Sequence, residues 1–313
     1  VQNTLIGGLA GDALTDGSYN VAIGYAALSA EDAHGRNVAI GYNSLTSQNA
    51  GADAYNVAVG FKAGENVSTG TSNTIIGGLA GDALTGGSAN TAIGKDSLTA
   101  CVDGDFNTAV GFEALEDYNE GDGNGHNTAI GSQSQRQVTT GEFNTSLGSL
   151  SMGSGVTTGD QNVAIGYATG VSIAAGAFNV LVGNSAGTAI TTGTENVAIG
   201  HQALSTENAH GKNVAVGHTA LLTLDAGADA FNVAVGNSAG KLMTSGIQNT
   251  IIGSLAGDAL TTGSNNVAIG YNALSTEDAH GRNVAIGYAA LTAQNAGADA
   301  YNVAVGYDAG TAI

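Results

Sequence analysis

The sequence predicts an all-β protein: a parallel β-solenoid, or β-roll, with one 17–20-residue repeat per rung and a single continuous repeat domain over 1–313. Three observations carry this. A short Asn-to-Gly pattern recurs eighteen times, the large side chain of each copy moves between two fixed places, and the composition suits short strands joined by tight turns. Gly supplies 50 of 313 residues, Pro and Trp are absent, and only 11% of residues are charged. Gly does not fall at every third position, which excludes collagen, and 42% apolar residues argue against disorder.

The pattern is Asn-[Val/Thr]-x-[Ile/Val/Leu]-Gly, starting at Asn3, Asn20, Asn37, Asn56, Asn73, Asn90, Asn107, Asn127 and Asn144, then at Asn162, Asn179, Asn196, Asn213, Asn232, Asn249, Asn266, Asn283 and Asn302. Most spacings are 17 residues, with 18 once, 19 three times and 20 once. Numbering each copy from its Asn, position 2 is Val or Thr, position 4 aliphatic and position 5 Gly throughout. Position 3 is usually Ala, as in Ala22, Ala39 and Ala285. β-Branched residues flanking a small one give the two-residue period of a strand. The expectation is that positions 2 and 4 face inward and position 3 outward. Seventeen residues have room for two short strands and two turns but not for a helix pair, and Gly and β-branched residues are poor helix formers.

The core compensates for itself. Leu occupies position 9 in eight copies (Leu28, Leu45, Leu98, Leu115, Leu204, Leu221, Leu274 and Leu291). Gly replaces it in another eight, and position 12 then supplies the bulk: Leu14, Val67, Leu84, Ile173, Ile190, Met243, Leu260 or Ile313. Position 12 of the Leu copies is mostly polar (Glu31, Gln48, Glu207, Glu277, Gln294), Leu224 being the exception. Close-packed interiors require such conservation of volume. Position 8 is Ala, Ser or Thr in every copy, which implies a second tight contact.

Stacking one repeat per rung sets neighbouring strands about 4.8 Å apart, so eighteen rungs extend roughly 85 Å, and Ile23 should neighbour Ile6 and Ile40. The recurring Asn, including Asn20, Asn37, Asn266 and Asn283, should form a structural ladder of side-chain amides along the axis. Residues 20–60 and 266–306 are nearly identical, which implies duplication of multi-rung cassettes whose 19-residue rungs protrude at Ala50 to Ala54 and Ala296 to Ala300. The pattern runs to both ends without caps, so the chain is expected to be a fragment of a longer protein.

The NVAIG-x-x-A-L units at 20–28, 196–204, 266–274 and 283–291 resemble the repeats of trimeric autotransporter adhesin heads and of phage tail-fibre-like proteins with NTAIG-x-x-AL repeats. The resemblance covers all eighteen copies. It implies a homotrimeric, extracellular fibre at a cell surface or on a virion tail, concerned with host attachment. The rungs here are longer than those of the adhesin heads. No segment resembles the self-cleaving chaperone domain that often ends the tail-fibre group, nor a membrane anchor.

Composition narrows the partners. Seven basic against 26 acidic residues, a net charge of -19, repel phosphate backbones, so no nucleic-acid partner is expected. No apolar run is long enough to span a bilayer, so no membrane insertion is expected. The chain itself is the expected partner, as a parallel homotrimer packed through the position 3 alanines, with an end-to-end filament as the rival. A cell-surface glycan or receptor is a further partner, and the aromatic files offer its contacts. Tyr25, Tyr42, Phe61, Phe112, Tyr167, Tyr271, Tyr288 and Tyr307 all hold position 6, while Tyr19, Tyr55, Phe106, Phe143, Phe178, Phe231 and Tyr301 precede a ladder Asn. Of these, Tyr25, Tyr42, Tyr271 and Tyr288 are the candidate glycan contacts, against the plainer reading of ring stacking between rungs.

No catalytic residue, cofactor or metal ligand is assigned, and no enzyme is expected. Uniform rungs offer no cleft, and no Ser/His/Asp or Cys/His set stands out. His34, His210 and His280 lie in the matching motifs EDAHGR, ENAHGK and EDAHGR and come nearest to a metal pattern, although a turn beside Gly is the simpler reading. Loop 119–125, with Asp122, has the oxygen-rich composition Ca²⁺ accepts but lacks the spacing of a known Ca²⁺ loop. Cys101 is the single Cys, at a core-like position 12. Ice binding would want an unbroken Thr file, whereas position 2 carries Thr at only seven of the eighteen copies.

Overall fold

The computed structural model describes residues 2–119, 124–295 and 297–311. The chain divides into two compact units, 1–158 and 159–313. In the first, strands β1–β9 span Thr4–Ile6, Val21–Ile23, Val38–Ile40, Val57–Val59, Thr74–Ile76, Thr91–Ile93, Thr108–Val110, Thr128–Ile130 and Thr145–Leu147. In the second, β10–β18 span Val163–Ile165, Val180–Val182, Val197–Ile199, Val214–Val216, Val233–Val235, Thr250–Ile252, Val267–Ile269, Val284–Ile286 and Val303–Val305. Within each unit every strand pairs in parallel with the strand one repeat away, and no helix occurs among the described residues. Each unit is a parallel β-solenoid with one repeat per rung. Its register is the expected one: Ile23 pairs with Ile6 on one side and Ile40 on the other.

Only positions 2–4 form a strand. The remainder of the rung is a series of turns, still bonded to the next rung through the backbone, as in Leu28 N–H to Ser44 C=O at 3.0 Å. Positions 7 and 9 take left-handed backbone angles, for instance φ 49° at Ala26 and 53° at Leu28. Two such residues so close together break the extended pattern, so the second strand expected per rung does not form.

Gly at position 5 is required for two reasons at once. Gly41 has φ +141°, and a Cβ built on it would lie 2.1 Å from the carbonyl oxygen of Gly60 in the next rung. No other residue tolerates both the dihedral and the approach.

The strand faces are the reverse of those expected from the sequence. Ala22, Ala39, Ala58 and Ala285 at position 3 are fully buried, while positions 2 and 4 are half-buried or exposed. The reason is volume. Leu28, Leu45, Leu204 and Leu274 at position 9, or Val67, Leu84, Ile173, Ile190 and Leu260 at position 12, already fill the interior and are themselves fully buried. That leaves room opposite for a methyl group. Larger position 3 residues are buried only where position 9 is Gly, as with Ile75, Leu181 and Ile251.

The compensation is direct in both units. A Cβ on Gly11 would lie 2.7 Å from Leu14 Cδ1, one on Gly187 would lie 2.9 Å from Ile190 Cδ1, and one on Gly257 would lie 2.8 Å from Leu260 Cδ1. Position 8 closes the same core, with Ala27, Ala63 and Ala203 fully buried. Leu14 is only partly covered, having a rung on one side of it alone. Ile313 lies outside the described residues.

Candidate functional site

Three features were singled out by the sequence, and each has a defined place on the rungs. The ladder Asn from Asn20 to Asn283 are buried, each just before its strand, while Asn3 and Asn302 are partly covered. Asn37 N–H donates to Asn20 Oδ1 at 3.0 Å, and Asn283 N–H donates to Asn266 Oδ1, also at 3.0 Å. The amide nitrogen turns instead to a neighbouring carbonyl, with Asn20 Nδ2 to His34 C=O and Asn266 Nδ2 to His280 C=O both at 3.2 Å. Amide-to-amide bonds of the expected kind occur between Asn162, Asn179, Asn196 and Asn213 and between Asn232 and Asn249. Elsewhere Oδ1 accepts the N–H that the next rung start presents in line with it, and Nδ2 mostly reaches a backbone carbonyl; Asn56 and Asn302 donate to Gln48 and Gln294 Oε1, and Nδ2 of Asn37 and of Asn283 has no hydrogen-bond partner.

The position 6 aromatics stack on one another. Ring centroids are 5.5 Å apart for Tyr25 and Tyr42, 5.4 Å for Tyr42 and Phe61, and 5.4 Å for Tyr271 and Tyr288, with the ring planes within 18° of parallel. The rings' faces are therefore turned to each other and their edges to solvent, which favours inter-rung stacking over a sugar platform needing open faces. In the second file cations alternate with rings: the Arg36 guanidinium lies 5.6 Å from the Tyr19 ring and 5.4 Å from that of Tyr55.

The His motifs form a built corner. Glu31, Glu207 and Glu277 at position 12 are fully buried although ionisable. With Leu filling the core, position 12 folds back into the turn. There Glu31 Oε1 accepts from the His34 backbone N–H at 3.0 Å, Glu207 Oε1 from His210 at 3.2 Å, and Glu277 Oε1 from His280 at 3.1 Å. Burial raises the pKa of Glu31 and Glu207, and the backbone hydrogen bond opposes that rise.

The 19-residue rung covers the corner. Its inserted Asp53 accepts from Gly35 N–H at 3.1 Å and pairs with Arg36 at 2.8 Å, while Asp229 accepts from Gly211 N–H at 3.3 Å and pairs with Lys212 at 2.6 Å. Asp299 does the same for Gly281 and Arg282. Each corner gathers three ionisable ligand types whose donor atoms lie within 4.8 Å of one another: Glu31, Asp32 and His34; Glu207, His210 and Asp225; Glu277, Asp278 and His280. The sequence singled out the three His but not their Glu and Asp partners, although five of those six lie in the same motifs; only Asp225 comes from a neighbouring rung. Asp122 lies outside the described residues.

Cys101 is buried, its pKa is pushed up to about 12 by desolvation, and it donates weakly to Gly104 C=O at 3.7 Å. A thiol so placed is a poor nucleophile.

Fold and corners together define a β-solenoid repeat protein. No protein-family model matches the chain, and no curated protein is significantly similar to it.

Proposed function

We propose that the chain is a structural or adhesive segment of an extracellular fibre, of tail-fibre or surface-adhesin type, that presents or contributes to receptor binding and performs no catalysis. The observation that carries this reading is the outer strand face. Nearly every rung turns a β-branched pair outward, Val38 and Ile40 in one, Val284 and Ile286 in another, and these stack in register within each unit. A repeated, half-exposed apolar file of this kind is suited to packing against another copy of itself.

The homotrimer therefore rests on a different surface from the one first expected. The position 3 alanines are sealed inside each roll and are not available for contact, whereas the position 2 and 4 files are. Lateral packing along those files, with the stacked aromatics beside them, is the proposed assembly. End-to-end association is the alternative, and a cell-surface glycan or receptor remains the proposed outside partner.

Sedimentation of the full 313-residue chain tests the assembly. The expected mass is three chains, falling to one when Val38→Lys and Ile40→Glu charge the outer file without loss of the β circular dichroism signal. A wild-type monomer at all concentrations would overturn lateral assembly, and open-ended growth insensitive to these substitutions would support the filament. Immunogold labelling of intact cells or virus particles bearing the chain should place it on external fibres; labelling confined to the cell interior would overturn the fibre role.

A further inference from the structure

The three His corners share a geometry that a turn alone does not require, and we infer that they are sites for a transition-metal dication of the Zn²⁺ class. The distances come first. Glu Oε1 and His Nδ1 are 3.9 Å apart at Glu31 and His34, 3.8 Å at Glu207 and His210, and 3.3 Å at Glu277 and His280. The first two are too long for a hydrogen bond. All three are close to the edge of a tetrahedron built on metal–ligand bonds of about 2.1 Å, which is about 3.4 Å.

Unused donor atoms come second. His34, His210 and His280 Nδ1 are each buried without a hydrogen bond, and so is Oε2 of the fully buried Glu31. Buried polar atoms ordinarily find partners, and a cation bridging carboxylate and imidazole would satisfy both at once. Such a site holds one neutral imidazole nitrogen and two carboxylates, leaving a fourth position open. An imidazole ligand selects Zn²⁺ and its neighbours over Ca²⁺ and Mg²⁺, which take oxygen donors.

The third observation is an exchange between rungs. Position 13 carries Asp32 followed one rung later by Asn49, and likewise Asp278 followed by Asn295. At the remaining corner the order is inverted: Asn208 is followed by Asp225, and Asp225 is the residue gathered with Glu207 and His210. One carboxylate is kept at each corner although the rung supplying it changes. A solvated turn has no need of that constraint; a metal needing a fixed charge and ligand number does. The inference stands apart from the fibre reading and survives its failure.

The test is equilibrium dialysis of the full chain against Zn²⁺ alone, with Co²⁺ as a spectroscopic probe. Three ions per chain are expected, with the visible absorption bands of tetrahedral Co²⁺, and no displacement by millimolar Ca²⁺ or Mg²⁺. His34→Ala should remove one ion and His34→Ala/His210→Ala/His280→Ala all three, while substituting the stacked pair His201 and His218 changes nothing. Asp32→Asn should weaken its site by at least about tenfold, and Asp32→Asn/Asn49→Asp should restore it. Asp32 and Asn49 are exposed, so both variants should fold, which unchanged circular dichroism checks. Binding that persists in the triple His variant, that follows His201 and His218, or that is absent from the wild type would overturn the inference.

Discussion

The side chain of Ile190 stands where Gly187 has none: a Cβ added to Gly187 would lie 2.9 Å from Ile190 Cδ1. The two residues are three apart in sequence and share one interior volume. Gly187→Ala should therefore cost about 1–3 kcal/mol by overpacking, even though Leu occupies the equivalent left-handed position in other rungs. Ile190→Ala alone should cost about 2–5 kcal/mol as a cavity. The pair Gly187→Ala/Ile190→Ala should lose less than the sum of the two, a coupling that urea unfolding of the four proteins measures. Simple additivity would show that the two positions do not exchange volume.

The glycines separate into two classes by the same criterion. Gly41→Ala forces a Cβ to 2.1 Å from Gly60 C=O at φ +141°, so a loss above about 4 kcal/mol is expected. At Gly78 a Cβ would meet no atom within 4 Å. Gly78→Ala should be neutral or stabilise by up to about 1 kcal/mol through the unfolded chain. Thermal unfolding of both variants checks the contrast.

The Asn ladder predicts a third outcome. Asn73 Oδ1 accepts from Asn90 N–H at 2.9 Å and its Nδ2 donates to Gly87 C=O at 2.9 Å. Asn73→Ala leaves a buried donor and a buried acceptor unpaired, at about 2–4 kcal/mol, with faster hydrogen exchange at the Asn90 amide. Asn73→Asp keeps the acceptor but aims a carboxylate at the Gly87 carbonyl. It should be tolerated in acid and destabilise as the new carboxyl ionises.

Two carboxyls predict a pH dependence. Desolvation raises the pKa of Asp82 and Asp258; Glu65 and Asp96 add to the rise at Asp82 while Lys62 opposes it, and Lys241 opposes it at Asp258. The folded state then holds the proton more tightly than the unfolded chain. Their contribution is most favourable below the ordinary carboxylate range and is lost as pH rises through the elevated folded values. Asp82→Asn/Asp258→Asn should flatten the stability profile across that window and raise stability at neutral pH. An unchanged slope in urea titrations at stepped pH would show that burial of these carboxyls is not felt.

The sequence by itself determined the period, the parallel register, the glycine at position 5 and the exchange of bulk between positions 9 and 12. All four follow from stacking, which repeats every local requirement at a fixed interval and so writes it into the chain. It did not determine which strand face is inside. Alternation places Ala39 opposite Val38 and Ile40 without saying where the interior lies, and only the space left beside Leu28 and Leu45 decides that it admits a methyl and no more. A sign of this was present in Ile75, Leu181 and Ile251, which are large at position 3 only where Gly64, Gly81, Gly170, Gly187, Gly240 or Gly257 makes room. The burial of Glu31 and its meeting with Asp32 and His34, or of Glu207 with Asp225 from the next rung, was decided by tertiary structure alone. Those contacts depend on how a turn folds back once leucine has taken the core; the chain carries the Glu-to-His spacing and the Asp–Asn exchange at position 13, but not the fact that they meet.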